Sequence, residues 1–243
     1  MEGATAALDK EIISLSGKKR PNVLFIPTAS SDEDSYCRNF RKVYGEKFGC
    51  DVDFLLLLKD PPSGKMIRQK ISEADIIYVG GGNTLKMMRR WRFLNVDQLL
   101  ISAVNNGKVM AGTSAGAICW FQYGHSDSIA YYHPDDWDWI RVKCLGILPF
   151  TACPHVLAEG RLQHFQKMIL KKGGLGIALD DCTAMEVIGD EFRIITSKAN
   201  AKAYKVFKKG KELITEEFLI DDKLKSMKGS STELVLSLSK CSE

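Results

Sequence analysis

The chain has 243 residues, 45% of them hydrophobic, which suffices for one large α/β core. Its 34 basic and 30 acidic side chains leave a net charge of only +4 without a basic patch, which argues against nucleic acid as the main partner. Seven scattered cysteines, odd in number and without a CxxC pair, support neither a disulfide framework nor a zinc knuckle. A reducing cytoplasm is therefore the expected setting. Met1 to Arg20 carries acidic residues and no sustained apolar stretch, and no later run reaches membrane-spanning length, so neither a leader nor a membrane contact is expected.

From Pro21 onward, apolar runs of strand length alternate with segments of helical period, the pattern of βαβ units. Val23 to Ile26 reads as a buried strand ending in the small residues Pro27 to Asp32. Tyr36, Phe40, Tyr44 and Phe48 then recur every four residues as an aromatic stripe suited to packing on a sheet. Asp51 to Leu58 reads as the second strand, Met66, Ile67 and Ile71 mark a helix, and Asp75 to Val79 is the third strand, followed by Gly80-Gly81-Gly82-Asn83-Thr84 and another helix. A helix around Leu99 to Val104 is capped by Asn105-Asn106-Gly107, and Val109 to Ala111 forms a short strand. Residues 124–143 show no clear period and read as an ordered loop over the site. Gly146 to Pro149 runs extended toward His155, residues 160–172 read as a helix, and Gly176 to Leu179 is another buried strand. Phe192 to Thr196, Ala203 to Phe207 and Leu213 to Thr215 follow as short strands, with residues 208–211 as a turn.

The expected architecture is a single three-layer, doubly wound α/β domain: a mostly parallel sheet with helices on both faces and a short C-terminal β-hairpin region. Its core spans about residues 21–196, with a β-rich extension at 190–220 and a tail at 221–243.

Gly112-Thr113-Ser114-Ala115-Gly116 fits G-x-S-x-G, with a short apolar strand before it and a helix-compatible run after it. Such an elbow strains the serine backbone and lifts Oγ out of the sheet, which demands small neighbours. The helix behind Ser114 is expected to add free amides and a positive dipole end. The triple glycine lies where ligands bind in open α/β sheets, and its amides at Gly81 and Gly82, with that of Ala115, are expected to form an oxyanion hole, with Asn83 and Thr84 beside it as candidate substrate contacts. Neither nucleotide-binding glycine spacing is present.

Among the histidines, His155 follows an extended segment and Pro154, near the strand ends, and is the candidate base for Ser114. His164 falls in a helix, on its surface, while His125 and His133 lie in the loop, placed to gate the site or touch substrate. The carboxylate behind His155 is Asp181, with Asp180 and Asp127 as competitors. The order Ser, His, Asp departs from that of α/β-hydrolases.

Five blocks in this order resemble the peptidase E (aspartyl dipeptidase) family, which includes cyanophycinases and has a fold similar to class I glutamine amidotransferases. They are Ile26 to Ala29, Val79 to Thr84, Gly112 to Ala117, Cys153-Pro154-His155 and Gly176 to Asp181. The resemblance implies a serine peptidase with Ser114 as nucleophile, His155 as base and an amide of the triple glycine in the oxyanion hole. No metal or organic cofactor is expected, short peptides are the expected substrates because an elbow partly covered by a loop admits chain ends more readily than folded protein, and a monomer or homodimer is expected. It also implies that Asp181 stands where relatives often have Glu, and that Arg161 occupies the position of an arginine that binds an aspartyl substrate's carboxylate. Asp127 is a further candidate substrate contact. The alternatives are a hydrolase of another amide, such as a β-aspartyl peptide or a cyanophycin-like polymer, and a silent relative that only binds ligand.

Overall fold

In the computed structural model, which describes residues 4–220 and 223–227, the first apolar run becomes strand β1 (Asn22–Ile26). It pairs in parallel with β2 (Asp51–Phe54) on one side and β3 (Ile76–Val79) on the other, and β3 pairs in parallel with β4 (Val109–Gly112). Successive side chains of a strand face opposite ways, so Leu24 and Ile26 enter one core with Ile77 and Val79, while Val23 and Phe25 enter another with Ile76. Both sets are buried because helices cover both faces, which explains why the strand sequence is continuously apolar.

The first core is roofed by α3 (Gly64–Glu73), α4 (Thr84–Phe93) and α5 (Val96–Asn105) through Ile67, Ile71, Met87, Met88, Trp91 and Leu100. The second is closed by α1 (Ala6–Ser14) and α2 (Asp34–Phe40), the latter continuing as a π-helical stretch over Arg41–Lys47. That wider helix keeps the four-residue aromatic repeat nearly in line, so Phe25, Phe40 and Tyr44 stack in sequence with centroid spacings of 4.1 and 4.4 Å. Of the expected α3 residues, Met66 is exposed, while Ile67 and Ile71 carry the packing.

The remaining strands do not extend this sheet. A six-stranded mixed sheet has the order β12-β11-β8-β7-β5-β6, built from β5 (Phe121–Ser126), β6 (Ile140–Lys143), β7 (Leu148–Cys153), β8 (Gly176–Leu179), β11 (Ala203–Lys209) and β12 (Glu212–Glu217). Between β7 and β8 runs α7 (Arg161–Lys172), whose Phe165 and Ile169 pack on Cys153, Ala178 and Val206. A small antiparallel sheet joins β9 (Thr183–Ile188), β10 (Glu191–Thr196) and β13 (Lys225–Ser226).

Four expectations are corrected here. The second strand stops at Phe54 rather than Leu58. Residues 124–143 are not simply a loop, since β5 and β6 pair there in antiparallel fashion, Gly124 opposite Val142. The C-terminal hairpin β11–β12 is no appendage, because Tyr204 pairs with Ala178 and adds it to the sheet that bears the site. Within the expected tail, Lys225 and Ser226 form a strand on β10, whereas 221–222 and 228–243 lie outside the described residues. Among the described residues no helix is long and apolar enough to cross a membrane.

Candidate active site

Ser114 follows β4 at φ 52° and ψ −115°, a left-handed strained conformation for a residue with a side chain, and α6 (Ala115–Ile118) begins directly after it. The flanking glycines are required by backbone contact. A β-carbon at Gly112 would meet the Gly116 carbonyl oxygen at 2.3 Å. The expected helix dipole is not supplied, because α6 is a single turn of 4 residues. What the turn does provide is the Ala115 amide, which has no hydrogen-bond acceptor among the described residues.

His155 reaches Ser114 from the end of β7. Parallel pairing places Cys153 opposite Ala178, and the Val156 amide continues the ladder by donating to the Leu179 carbonyl at 3.1 Å. His155, at φ 52°, turns its ring out of this path. Its Nε2 lies 3.0 Å from Ser114 Oγ, and its Nδ1 is hydrogen-bonded to Asp181 Oδ1. Asp181 occupies the turn after β8, the strand beside β7, so strand adjacency brings the two residues together. Because the backbones already approach this closely, the short Asp side chain reaches the ring.

The competing carboxylates stand elsewhere. Asp180 is buried and accepts the Asp181 amide at 2.8 Å, shaping the turn. Asp127 Oδ2 faces Arg161 Nη1 at 3.6 Å. Arg161 begins α7 and is 5% exposed; one of its nitrogens reaches the His125 carbonyl at 3.4 Å, and its Nε has no partner among the described residues.

Each residue of the triple glycine meets a different neighbour. A β-carbon at Gly80 would stand 2.9 Å from the Tyr36 ring, one at Gly81 3.3 Å from Ser114 Cβ, and one at Gly82, where φ is +131°, 2.4 Å from the Ala29 carbonyl oxygen. The Gly81 amide donates to the Tyr36 hydroxyl at 3.3 Å, whereas the Gly82 amide has no acceptor among the described residues. Asn83 and Thr84, expected at the substrate, are instead buried. Asn83 caps α4 by accepting the Lys86 amide and donates to the Ser128 carbonyl, while Thr84 Oγ1 accepts from Ser126. Their role is to anchor the segment after β5.

The other histidines are redistributed too. His125 is fully buried in β5, with Nε2 at 2.9 Å from His164 Nδ1 and Nδ1 at 3.7 Å from Cys153 Sγ. Burial first, then the Arg161 and His164 charges, push its pKa down to about 3, so it is a neutral packing group. Burial likewise pushes the Cys153 thiol up to about 12, which removes it as a thiolate nucleophile at neutral pH. His164 is half-buried rather than superficial and faces Asp138 at 3.3 Å, with Trp139 packed on both rings. His133 is exposed beyond the 3-10 turn Ser128–Tyr131. Sequence reasoning missed Tyr36, which it assigned to core packing. The available signal was its place as the first aromatic after the C-terminal end of β1, on the ligand-bearing edge of an α/β sheet.

With this geometry established, the comparisons with known proteins agree on one family. The model of peptidase family S51 matches residues 1–195. The chain belongs to peptidase family S51. It is 37% identical over 209 residues to the uncharacterized peptidase YgaJ of Bacillus subtilis, covering 85% of this chain and 86% of that one. It is also 27% identical over 195 residues, 75% of each chain, to a Drosophila melanogaster protein named "Probable alpha-aspartyl dipeptidase". A solved peptidase from an acI-B1 Actinobacterium shares the fold at a TM-score of 0.67 and 20% identity, covering 92% of this chain and 91% of that one. This S51 protein is accordingly a hydrolase of peptide bonds on a mixed α/β scaffold.

Proposed function

We propose that this S51 peptidase is a serine-type dipeptidase in which Ser114 is the nucleophile, His155 the general base and acid, and Asp181 the carboxylate that orients the imidazole. The observation that carries this reading is the continuous chain from Ser114 Oγ through both ring nitrogens of His155 to Asp181, set on a left-handed elbow. Nδ1 faces an obligate acceptor and therefore bears the hydrogen, which leaves Nε2 basic toward the serine hydroxyl.

The reaction follows from these positions. Ser114 Oγ bonds to the peptide carbonyl carbon as its proton passes to His155 Nε2, and backbone amides hold the oxyanion that forms. Collapse expels the amine, which takes the proton from His155 and leaves an acyl-enzyme on Ser114. Water then gives a proton to His155 and attacks the ester, and the returning proton restores Ser114. The imidazolium formed in each half-reaction is stabilised by the neighbouring Asp181 side chain.

Short peptides are the proposed substrates. The name carried by the Drosophila relative supports a dipeptide, as does the segment after β5 that Asn83 and Thr84 hold beside the site. A cytoplasmic setting is proposed with it, supported by the thiols of the described residues, which are free and mostly buried.

The test is labelling with a fluorophosphonate, mapping of the modified residue, and turnover of Asp-X, Leu-X and β-Asp-X dipeptides by wild type and Ser114→Ala. Label on Ser114 and a loss of turnover of at least about 10³-fold in the variant are expected. Equal turnover in both proteins would remove Ser114 from the mechanism. Hydrolysis of β-Asp-X alone would replace the dipeptidase reading with that of an isoaspartyl hydrolase.

A further inference from the structure

Three amides are the candidate oxyanion donors, those of Gly81 and Gly82 in the glycine loop and that of Ala115 next to Ser114, and they are not equivalent. Gly81 N–H is already used, donating to the Tyr36 hydroxyl at 3.3 Å, while among the described residues Gly82 and Ala115 have no acceptor. The Tyr36 ring is held edge-on against Phe25 with centroids 5.0 Å apart, and it occupies the space that a side chain at Gly80 would fill. A rigid aromatic on α2 thereby grips the peptide that leads into Gly81, whose α-carbon abuts Ser114. Burial raises the phenol pKa, so the hydroxyl is neutral through the physiological range.

We infer that Tyr36 is a positioning residue for the oxyanion hole. Its hydroxyl pins the Gly81 peptide, takes that amide out of the hole, and fixes the loop so that Gly82 and Ala115 are the two donors. This rests on the assignment of Ser114 as nucleophile. Its physical logic is preorganisation: glycines have the greatest backbone freedom, and a donor pair stabilises developing charge only if it is already in place when the charge appears. The phenol oxygen restrains a loop that its own sequence leaves loose.

The experiment is the rate of phosphonylation of Ser114 by a fluorophosphonate in wild type, Tyr36→Phe and Ser114→Ala. In this step the Oγ–P bond forms, fluoride leaves, the serine proton passes to His155, and the phosphonyl oxygen occupies the oxyanion site. Tyr36→Phe keeps the ring and removes only the hydroxyl. The expected result is a fall of at least about tenfold in the maximal labelling rate, with the half-saturating probe concentration within about twofold and the unfolding temperature unchanged. A labelling rate equal to wild type overturns the inference. A faster rate overturns it too, because it means that Gly81 N–H is itself the donor and Tyr36 was competing for it. Absence of wild-type label on Ser114 overturns the nucleophile assignment and this inference with it, an outcome distinct from the other two.

Discussion

Gly116 packs on Val79 so closely that a β-carbon at residue 116 would lie 2.0 Å from the Val79 carbonyl oxygen. This contact ties the elbow to the end of β3, the strand that leads into the triple glycine, so Ser114 and the glycine loop share one support.

Gly116→Ala is expected to cost about 3 kcal/mol or more, because the clash is with backbone at both ends and neither can turn aside. Gly107→Ala is the control. Gly107 has φ +74° and open space around it, so only backbone strain of about 1 kcal/mol applies. Urea midpoints of the two variants should differ accordingly, and equal midpoints would show that the elbow relaxes without penalty.

Asp181→Asn keeps the size of the side chain but offers an amide where His155 needs an acceptor. The expected fall in kcat is at least about 100-fold with a smaller change in KM, since the wrong tautomer blunts Nε2. Asp180→Asn, which alters the turn and not the ring, should retain most activity. If Asp180→Asn is the more damaging of the two in a dipeptide assay, the partner of His155 has been misassigned.

Arg161 and Asp127 offer a test of specificity. The guanidinium is buried and faces the chain's own carboxylate, so an acidic substrate group that paired with Arg161 would have to compete with Asp127. Asp127→Asn removes that competitor, and the expected outcome is a rise of about fivefold or more in kcat/KM for Asp-Leu relative to Leu-Leu. An unchanged ratio would mean that substrate does not approach Arg161.

His125 makes stability depend on pH. Its folded pKa of about 3 lies below the ordinary 6.5, so between these values the unfolded chain binds a proton that the folded chain refuses. The His125 contribution to stability is therefore complete above 6.5 and is lost as pH drops toward 3, by up to about 1.4 kcal/mol per pH unit. In His125→Gln this component should vanish, so its chemical-denaturation midpoint should fall less steeply from pH 6.5 to pH 4 than that of wild type. Parallel slopes for the two proteins would contradict the buried neutral state.

The parts of the fold that were legible are those where a short segment carries its own instruction. β1, β3 and β8 read as continuous apolar runs because both of their faces are buried in β1 and β3, and β8 is enclosed likewise. β5, β6 and β9 were missed for the converse reason. Phe121–Ser126 mixes Gln, Gly and His with aromatics, Ile140–Lys143 is an edge strand with a basic face, and Thr183–Ile188 lies in a small antiparallel sheet. No period survives in such stretches, because their environment changes from residue to residue.

For the site, the amino-acid sequence alone determined the elbow, since Gly112, Ser114 and Gly116 act within one turn and their spacing is their function. It also singled out His155 among the four histidines as the partner of Ser114. Tertiary structure decided everything that depends on which strands are neighbours: Asp181 on His155 through the pairing of β7 with β8, Asp127 on Arg161, Asn83 and Thr84 turned to anchoring, and Tyr36 on Gly81. The physical reason is that a hydrogen bond between residues 45 positions apart leaves no periodic trace, and only the packing of α2 against β1 brings Tyr36 and Gly81 within reach.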